Sequence, residues 1–499
     1  MRPVGGEMPV FALDKLKPWP WIHGSYRASK KSASSKSRFA PVGSIDTFEL
    51  PCCPEGMSAR HFAISLLQAG AEIEHSLLVQ YLYAAYSVDE RAEDDTHNIG
   101  LEWKTHIRLI AREEMAHLAT VQNLLLSLTT GEVYLNRGPI NKDVRTLPLP
   151  FQLEPLSERS LSKYVLFESP SQSMLSGETL KLVEDIKKSL GAESRVLSVG
   201  SIYAALYWLF LESDDPGDDW PFAPESVAEF RGSYHQGFHL KASDFADRDR
   251  YLERAARPEE WGVYEAETHV DGASPRDTAL GSLRWIMAQG EGPNVIEESH
   301  FFRFIEMYKK LIELGDESPL LPVPTNPHVG RVRVGTQIRN KVSRLWALLG
   351  NSRYQLLILD IFESLNARRS TEINKRGRLA KWAVTEMELV KQIGQMLPRM
   401  FLARDPAKAA GAIFEEVALP ESEPDRRIRR QKLVRNSDSW IAEIAELRNR
   451  KRQVPEAKKS KRKVPEHTDD ATTEGIEESV LDAVARQNDE MREVLRASG

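Results

Sequence analysis

Residues Trp103–Leu128 read WKTHIRLIAREEMAHLATVQNLLLSL. Alternate steps of four and three pick out Trp103, Ile107, Ile110, Glu114, His117, Val121, Leu124 and Leu128. That is one apolar helix seam interrupted by a carboxylate and an imidazole. Two more seams carry the same interruption: Leu67, Ala71, Glu74, Leu78, Tyr81, Ala85, and Glu297, His300, Phe304, Met307, Leu311, Leu314. Glu-x-x-His also occurs at Glu72/His75, so the tetrapeptide alone says little. Its position on a buried seam carries the argument. A buried carboxylate is costly without a partner, and one metal ion satisfies several at once. The metal-free alternative is an ion-pair network that draws on Arg108 or Arg112.

Ligands three or four residues apart share a helix face. Glu114 with His117 and Glu297 with His300 meet that condition, and Glu74 adds a lone carboxylate from another helix. One more lone carboxylate would complete a dinuclear site in a four-helix bundle. Two residues compete for that place. Glu212 ends the apolar run 198–212, and Glu291 sits in the break Gly290-Glu291-Gly292-Pro293. The break favours Glu291, because interrupted helices mark close approach to sites. Oxygen-rich ligation with two imidazoles suits iron or manganese, two ions rather than one, over zinc. His75 lies one step off its seam and reads as outward-facing or as a support behind a ligand. Tyr81 and Trp103 are the candidate proton or electron relays, with core packing as the alternative for each.

Composition narrows the partners. Of 499 residues, 73 are acidic and 67 basic, a net charge of −6, so nothing global points to nucleic acid or an anionic membrane. The two cysteines, Cys52 and Cys53, are adjacent; they make no disulfide scaffold and fit a reducing compartment. With no run of about 20 apolar residues and no secretory apolar core, the expected location is cytoplasmic. Residues 1–55 read as an irregular N-terminal extension, with a basic stretch at Ser25–Ser37. Residues 56–402 carry the helical patterning, broken by a Pro-rich crossover over 132–156 and irregular insertions over 221–275. Further helices are expected at 351–366 and 377–397. Residues 403–499 read as a charged, helical or disordered tail.

The order of motifs also resembles a known family. Glu74 with Tyr81, followed by REEMAH at 112–117, is similar to half of a ferroxidase centre of the ferritin superfamily. LQAGAEIEHSLLVQYLYAAY at 67–86, IAREEMAHL at 110–118 and VGSIYAA at 199–205 look more narrowly like the ferritin-like iminophenyl-pyruvate dimer synthase domain. So do QGEG at 289–292, ESHFFRF at 298–304 and NSRYQLL at 351–357. The resemblance implies an all-α, ferritin-like four-helix bundle with a long crossover and additional C-terminal helices. It places Glu74, Glu114, His117, Glu291 and His300 on matching blocks, while Glu297 rests on spacing alone. Named members couple two imines of aromatic 2-oxo acids oxidatively in bisindole pathways. The expected function is a metal-dependent oxidoreductase of specialised metabolism, acting on a small organic substrate with dioxygen or peroxide. Ferroxidase-type iron handling and a metal-free interaction scaffold are the alternatives. Assembly of the chain with itself stays open.

Overall fold

The computed structural model describes residues 50–91, 98–129, 133–137, 151–170, 175, 177–191, 199–217, 220–222, 224–261, 278–290, 299–330, 335–403, 407–452 and 471–497. The extension up to residue 49, with its basic stretch, lies outside them.

Two long helices lay down the frame. α1 (Ala59–Tyr86) begins where the Ser58 side chain accepts from the His61 N–H and ends at Ser87, whose N–H bonds Ala84 and Ala85 carbonyls. Ser87 Oγ then accepts from Leu156 N at 2.7 Å, tying the incoming crossover to the end of α1. α2 (Ile99–Leu128) packs along α1 through Ile107, Ile110, Val121 and Leu125. Each such side chain fully withdrawn from water contributes roughly 1.5–3 kcal/mol.

The second pair is shorter. α3 (Glu158–Phe167) follows the crossover and packs on α9 (His300–Leu314). Nothing in the sequence reading anticipated α3. A capping box between Ser157 and Ser160 starts it. Between α3 and α9 in the chain come α4 (Gly177–Ser189), α5 (Val199–Phe210), the short α6 (Val227–Ser233) and α7 (Arg248–Leu252), and α8 (Ala279–Gln289). Every residue of α5 is buried, as its all-round apolar sequence requires. α5 lies against both α1 and α8.

A second group of helices follows. α10 (Lys341–Asn366) begins ten residues before the expected start at 351, and α11 (Arg369–Met396) runs back along it. α12 (Glu423–Arg452) and α13 (Ala471–Ala497) lie within the stretch read as a charged tail. They nevertheless bury Val434, Ile444, Val484 and Met491 against α10 and α11. The only sheet among the described residues pairs Pro327–His328 with Thr336–Gln337 in parallel. No described helix is long and apolar enough to cross a membrane.

Candidate metal centre

The seam of α2 turns inward as its period requires and meets three other helices. Glu74 comes from the middle of α1, and Glu114 and His117 from the middle of α2. His300 is the first residue of α9, and Glu168 caps the C-terminus of α3. All five are at most 2% exposed. Glu114 is shared. Its Oε2 lies 3.3 Å from His117 Nδ1 and its Oε1 lies 3.0 Å from His300 Nδ1. Glu74 Oε2 stands 3.5 Å from His117 Nδ1, and Glu168 Oε2 stands 3.3 Å from His300 Nδ1. Two groups able to hold a metal therefore share one carboxylate: Glu74, Glu114, His117 and Glu114, Glu168, His300. The two imidazole rings are 5.7 Å apart.

An outer layer fixes four of the five side chains. Both imidazoles turn Nδ1 toward the carboxylates, so Nε2 is left for a partner behind. His117 Nε2 bonds Gln289 Oε1 at 3.0 Å, and His300 Nε2 bonds Glu113 Oε2 at 2.9 Å. Arg303 also donates to that Glu113 oxygen, at 3.0 Å. The Tyr203 hydroxyl donates to Glu74 Oε1, and the Tyr81 hydroxyl donates to Glu168 Oε1. Two glycines give the layer room. A methyl group at Gly70 would sit 3.2 Å from the Tyr203 hydroxyl oxygen, and one at Gly290 would sit 3.2 Å from Glu168 Oε2.

The electrostatics are those of a site waiting for positive charge. Burial and the neighbouring Glu114 push the Glu74 carboxyl up to about 8. Burial raises Glu168 as well, with His300 opposing it and Glu114 adding to it. Burial also works against an ionised Glu114, but the hydrogen bond from Glu74 and the two imidazoles outweigh it and hold Glu114 well below the usual range. The imidazoles move the other way. Burial disfavours their charge, yet Glu114 and Glu74 raise His117 to about 10, and Glu168 and Glu114 hold His300 well above its ordinary value. No lysine or arginine among the described residues pairs with Glu74, Glu114 or Glu168. Glu74 Oε2, Glu168 Oε2 and His300 Nδ1 have no hydrogen-bond partner of their own. Three carboxylates and two imidazoles with orphaned donor atoms facing one another fit iron or manganese.

The sequence-derived candidates divide. Glu74, Glu114, His117 and His300 come together, and Tyr81 touches the cage through Glu168. Trp103 does not: it is a core residue eleven positions before Glu114 on α2, about 16 Å along the helix axis. Glu212 is exposed just beyond α5. Glu291 and Glu297 lie outside the described residues, although Gly290, beside Glu291, does abut the cage. His75 points away from the seam, but into packed protein. It is 2% exposed and bonds Leu135 O and the Tyr354 hydroxyl rather than a cage residue. Glu168 was missed. Its signal is the spacing of Leu161, Val165 and Glu168 on a capped helix. Cys52 and Cys53 belong to no metal group among the described residues. Burial, then Cys52, pushes the Cys53 thiol up to about 11, so it is no nucleophile near neutral pH.

Comparison with known proteins bears on the family of this stretch of chain. The ferritin-like family matches residues 67–309, a span that contains all five cage residues. Residues 67–309 belong to the ferritin-like family. The chain is 26% identical over 306 residues to 2-imino-3-(indol-3-yl)propanoate dimerase of Chromobacterium violaceum, covering 56% of this chain and 26% of that protein. It is 24% identical over 412 residues to dichlorochromopyrrolate synthase of Lentzea aerocolonigenes, covering 72% of this chain and 36% of that protein. The chain thus spans 26% and 36% of the length of these two curated relatives. A ferritin-like protein of Caulobacter vibrioides aligns at 14% identity with a TM-score of 0.33, covering 65% of this chain and 95% of that one. A score that low adds no weight to the fold.

Proposed function

We propose that this ferritin-like chain is a metal-dependent oxidoreductase acting on a small organic substrate in specialised metabolism. The substrate class is an aromatic imine or a related amino-acid derivative, with dioxygen or peroxide as electron acceptor. The observation that carries the reading is the sharing of Glu114 between two buried ligand triads. The names of the two relatives support the substrate class.

Glu74, Glu114 and His117 would hold one ion, and Glu114, Glu168 and His300 the other. A bound iron or manganese pair supplies one-electron chemistry and the capacity to activate an oxidant. The chain's own residues do the rest. Gln289 and Glu113 keep Nε2 of each imidazole occupied, so Nδ1 stays directed at the carboxylates. Tyr203 and Tyr81 hold a proton against Glu74 Oε1 and Glu168 Oε1. Tyr81, read from the sequence as a relay, would move a proton at Glu168, a role its hydrogen bond to that carboxylate supports. Burial of all five ligands excludes bulk water.

The test is elemental analysis of protein purified without chelator, beside the Glu114→Ala/His117→Ala variant. The wild type should carry about two iron or manganese ions per chain, and the variant none. A chelator should lower the melting temperature of the wild type alone, since a ligand of the folded state stabilises that state. Wild-type protein that takes up no metal even after anaerobic loading with Fe(II) would leave a scaffold and end this reading.

A further inference from the structure

Two tyrosines bond the cage, and their surroundings differ. The Tyr81 hydroxyl donates to Glu168, and its ring meets Tyr164 edge-on at 4.8 Å and Phe304 at 5.0 Å between centres. Tyr81, Tyr164 and Phe304 are each at most 1% exposed, so the rings packed on this side are all buried.

The Tyr203 hydroxyl donates to Glu74 on the other side of the cage. Tyr203 belongs to α5, and Tyr207 follows it by one helical turn on the same face. Tyr207 stands edge-on to Trp220, with ring centres 5.8 Å apart, a spacing at which aromatic rings touch. Trp220 is half-buried, so this series of rings reaches the surface.

Phenol and indole rings give up single electrons, whereas phenyl rings resist doing so. From Glu74 outward the series is phenol, phenol, indole, with no phenyl ring between them. Packing alone would be served as well by phenylalanine at 203 and 207, both of which are buried. Oxidation of a phenol or an indole also releases a proton, so each end needs an acceptor. Tyr203 has the Glu74 carboxylate. Trp220 donates from Nε1 to Ser226 Oγ at 3.1 Å. Trp208 packs on Trp220 at 5.9 Å, but it is 1% exposed and its Nε1 has no hydrogen-bond partner. Trp220 is therefore the better end for such a series, and Trp208 a packing residue.

We propose that Tyr203, Tyr207 and Trp220 form an electron route between the surface and the cage, which reduces peroxide when no substrate is bound. The proposal rests on the metal reading above and on the oxidant class named there. Trp220 gives up two electrons in single steps, through Tyr207 and then Tyr203. Peroxide at the cage takes them with two protons and becomes two waters. The oxidised indole takes its oxygen from water and releases two protons. The sum is peroxide plus tryptophan giving hydroxytryptophan plus water, so the route spares the cage at the expense of one surface ring.

The test uses the full chain, loaded with Fe(II), freed of excess metal and treated with stoichiometric hydrogen peroxide in the absence of substrate. Peptide mass spectrometry should find one added oxygen on Trp220 and none on Trp285, which is 38% exposed on α8. Metal-free protein should show neither. Tyr207→Phe keeps the ring but interrupts the route, so it should bind as much iron as the wild type and lose the Trp220 modification. Three results would overturn the route and leave the metal reading standing: unmodified Trp220 in the iron-loaded wild type, equal modification of Trp220 in Tyr207→Phe, or equal modification of Trp285. Protein that takes up no metal would remove both.

Discussion

Two of the regions in which the protein buries charge settle it in two ways. Between α10, α11 and α12, Glu386 faces Arg353, while Arg430 pairs with both Asp360 and Glu363. Those acids have guanidinium partners built into the chain. In the cage, the only cationic partners of Glu74, Glu114 and Glu168 among the described residues are two imidazoles, whose charge depends on bound protons. The difference separates a structural charge cluster from a site built for something exchangeable. Arginine neutralises permanently. Imidazole gives up its proton when a metal takes the nitrogen, so a cage of carboxylates and histidines can trade protons for ions.

The contrast can be broken first at the arginine end. Arg353→Met leaves Glu386 buried without its partner and should cost about 3–5 kcal/mol of stability in urea unfolding. Adding Glu386→Leu should recover most of that loss. Neither change should alter metal content. If the single variant unfolds like the wild type, the cluster is not the fixed ion pair described here.

The cage end is sharpened by Glu113→Gln. Glu113 touches no other carboxylate of the cage, but it orients His300 and is itself held by Arg303. Its neutralisation should weaken metal binding roughly 10- to 100-fold, read by competition with a calibrated chelator. Unchanged affinity would show that His300 needs no support from behind.

The smallest effect lies between the two regions. Burial, then the charge of Arg137, holds the His75 ring at about 3, despite the bond to Leu135 O. In an unfolded chain it would titrate near about 6.5. Between those values the unfolded chain binds a proton that the native one does not. His75 therefore contributes stability that is complete above a pH of about 6.5 and falls by about 1.4 kcal/mol per unit below it. His75→Phe should flatten the pH dependence of unfolding between pH 7 and pH 5. An unchanged slope would show that the ring titrates normally in the native protein.

The sequence made the cage legible where its helices are long. On α1 and α2 the apolar period runs for many turns, so Glu74, Glu114 and His117 stand out against it. His300 stands out for the same reason, on the aromatic seam of α9. Glu168 does not, because α3 has only ten residues and buries Ser160, Ser162 and Lys163. Its polar residues hide the period, and Lys163 is at home there only because Glu154 pairs with it. The C-terminal helices were obscured by charge. α12 looks like a solvated helix until Arg430 is seen to reach the acids of α10. A pairing between residues so far apart leaves no mark on local periodicity.

Glu168 lies where α3 stops, with Pro170 two residues on, and His300 lies where α9 starts. The other three cage residues sit in the middle of helices, on two neighbours joined by one short connection. Bringing Glu74, Glu114 and His117 together takes only the closing of that hairpin, a local event with little loop entropy to overcome. The second triad must wait for His300 to return from the far side of the chain. On loop-closure grounds, half of the cage is expected to assemble early in folding and the other half late.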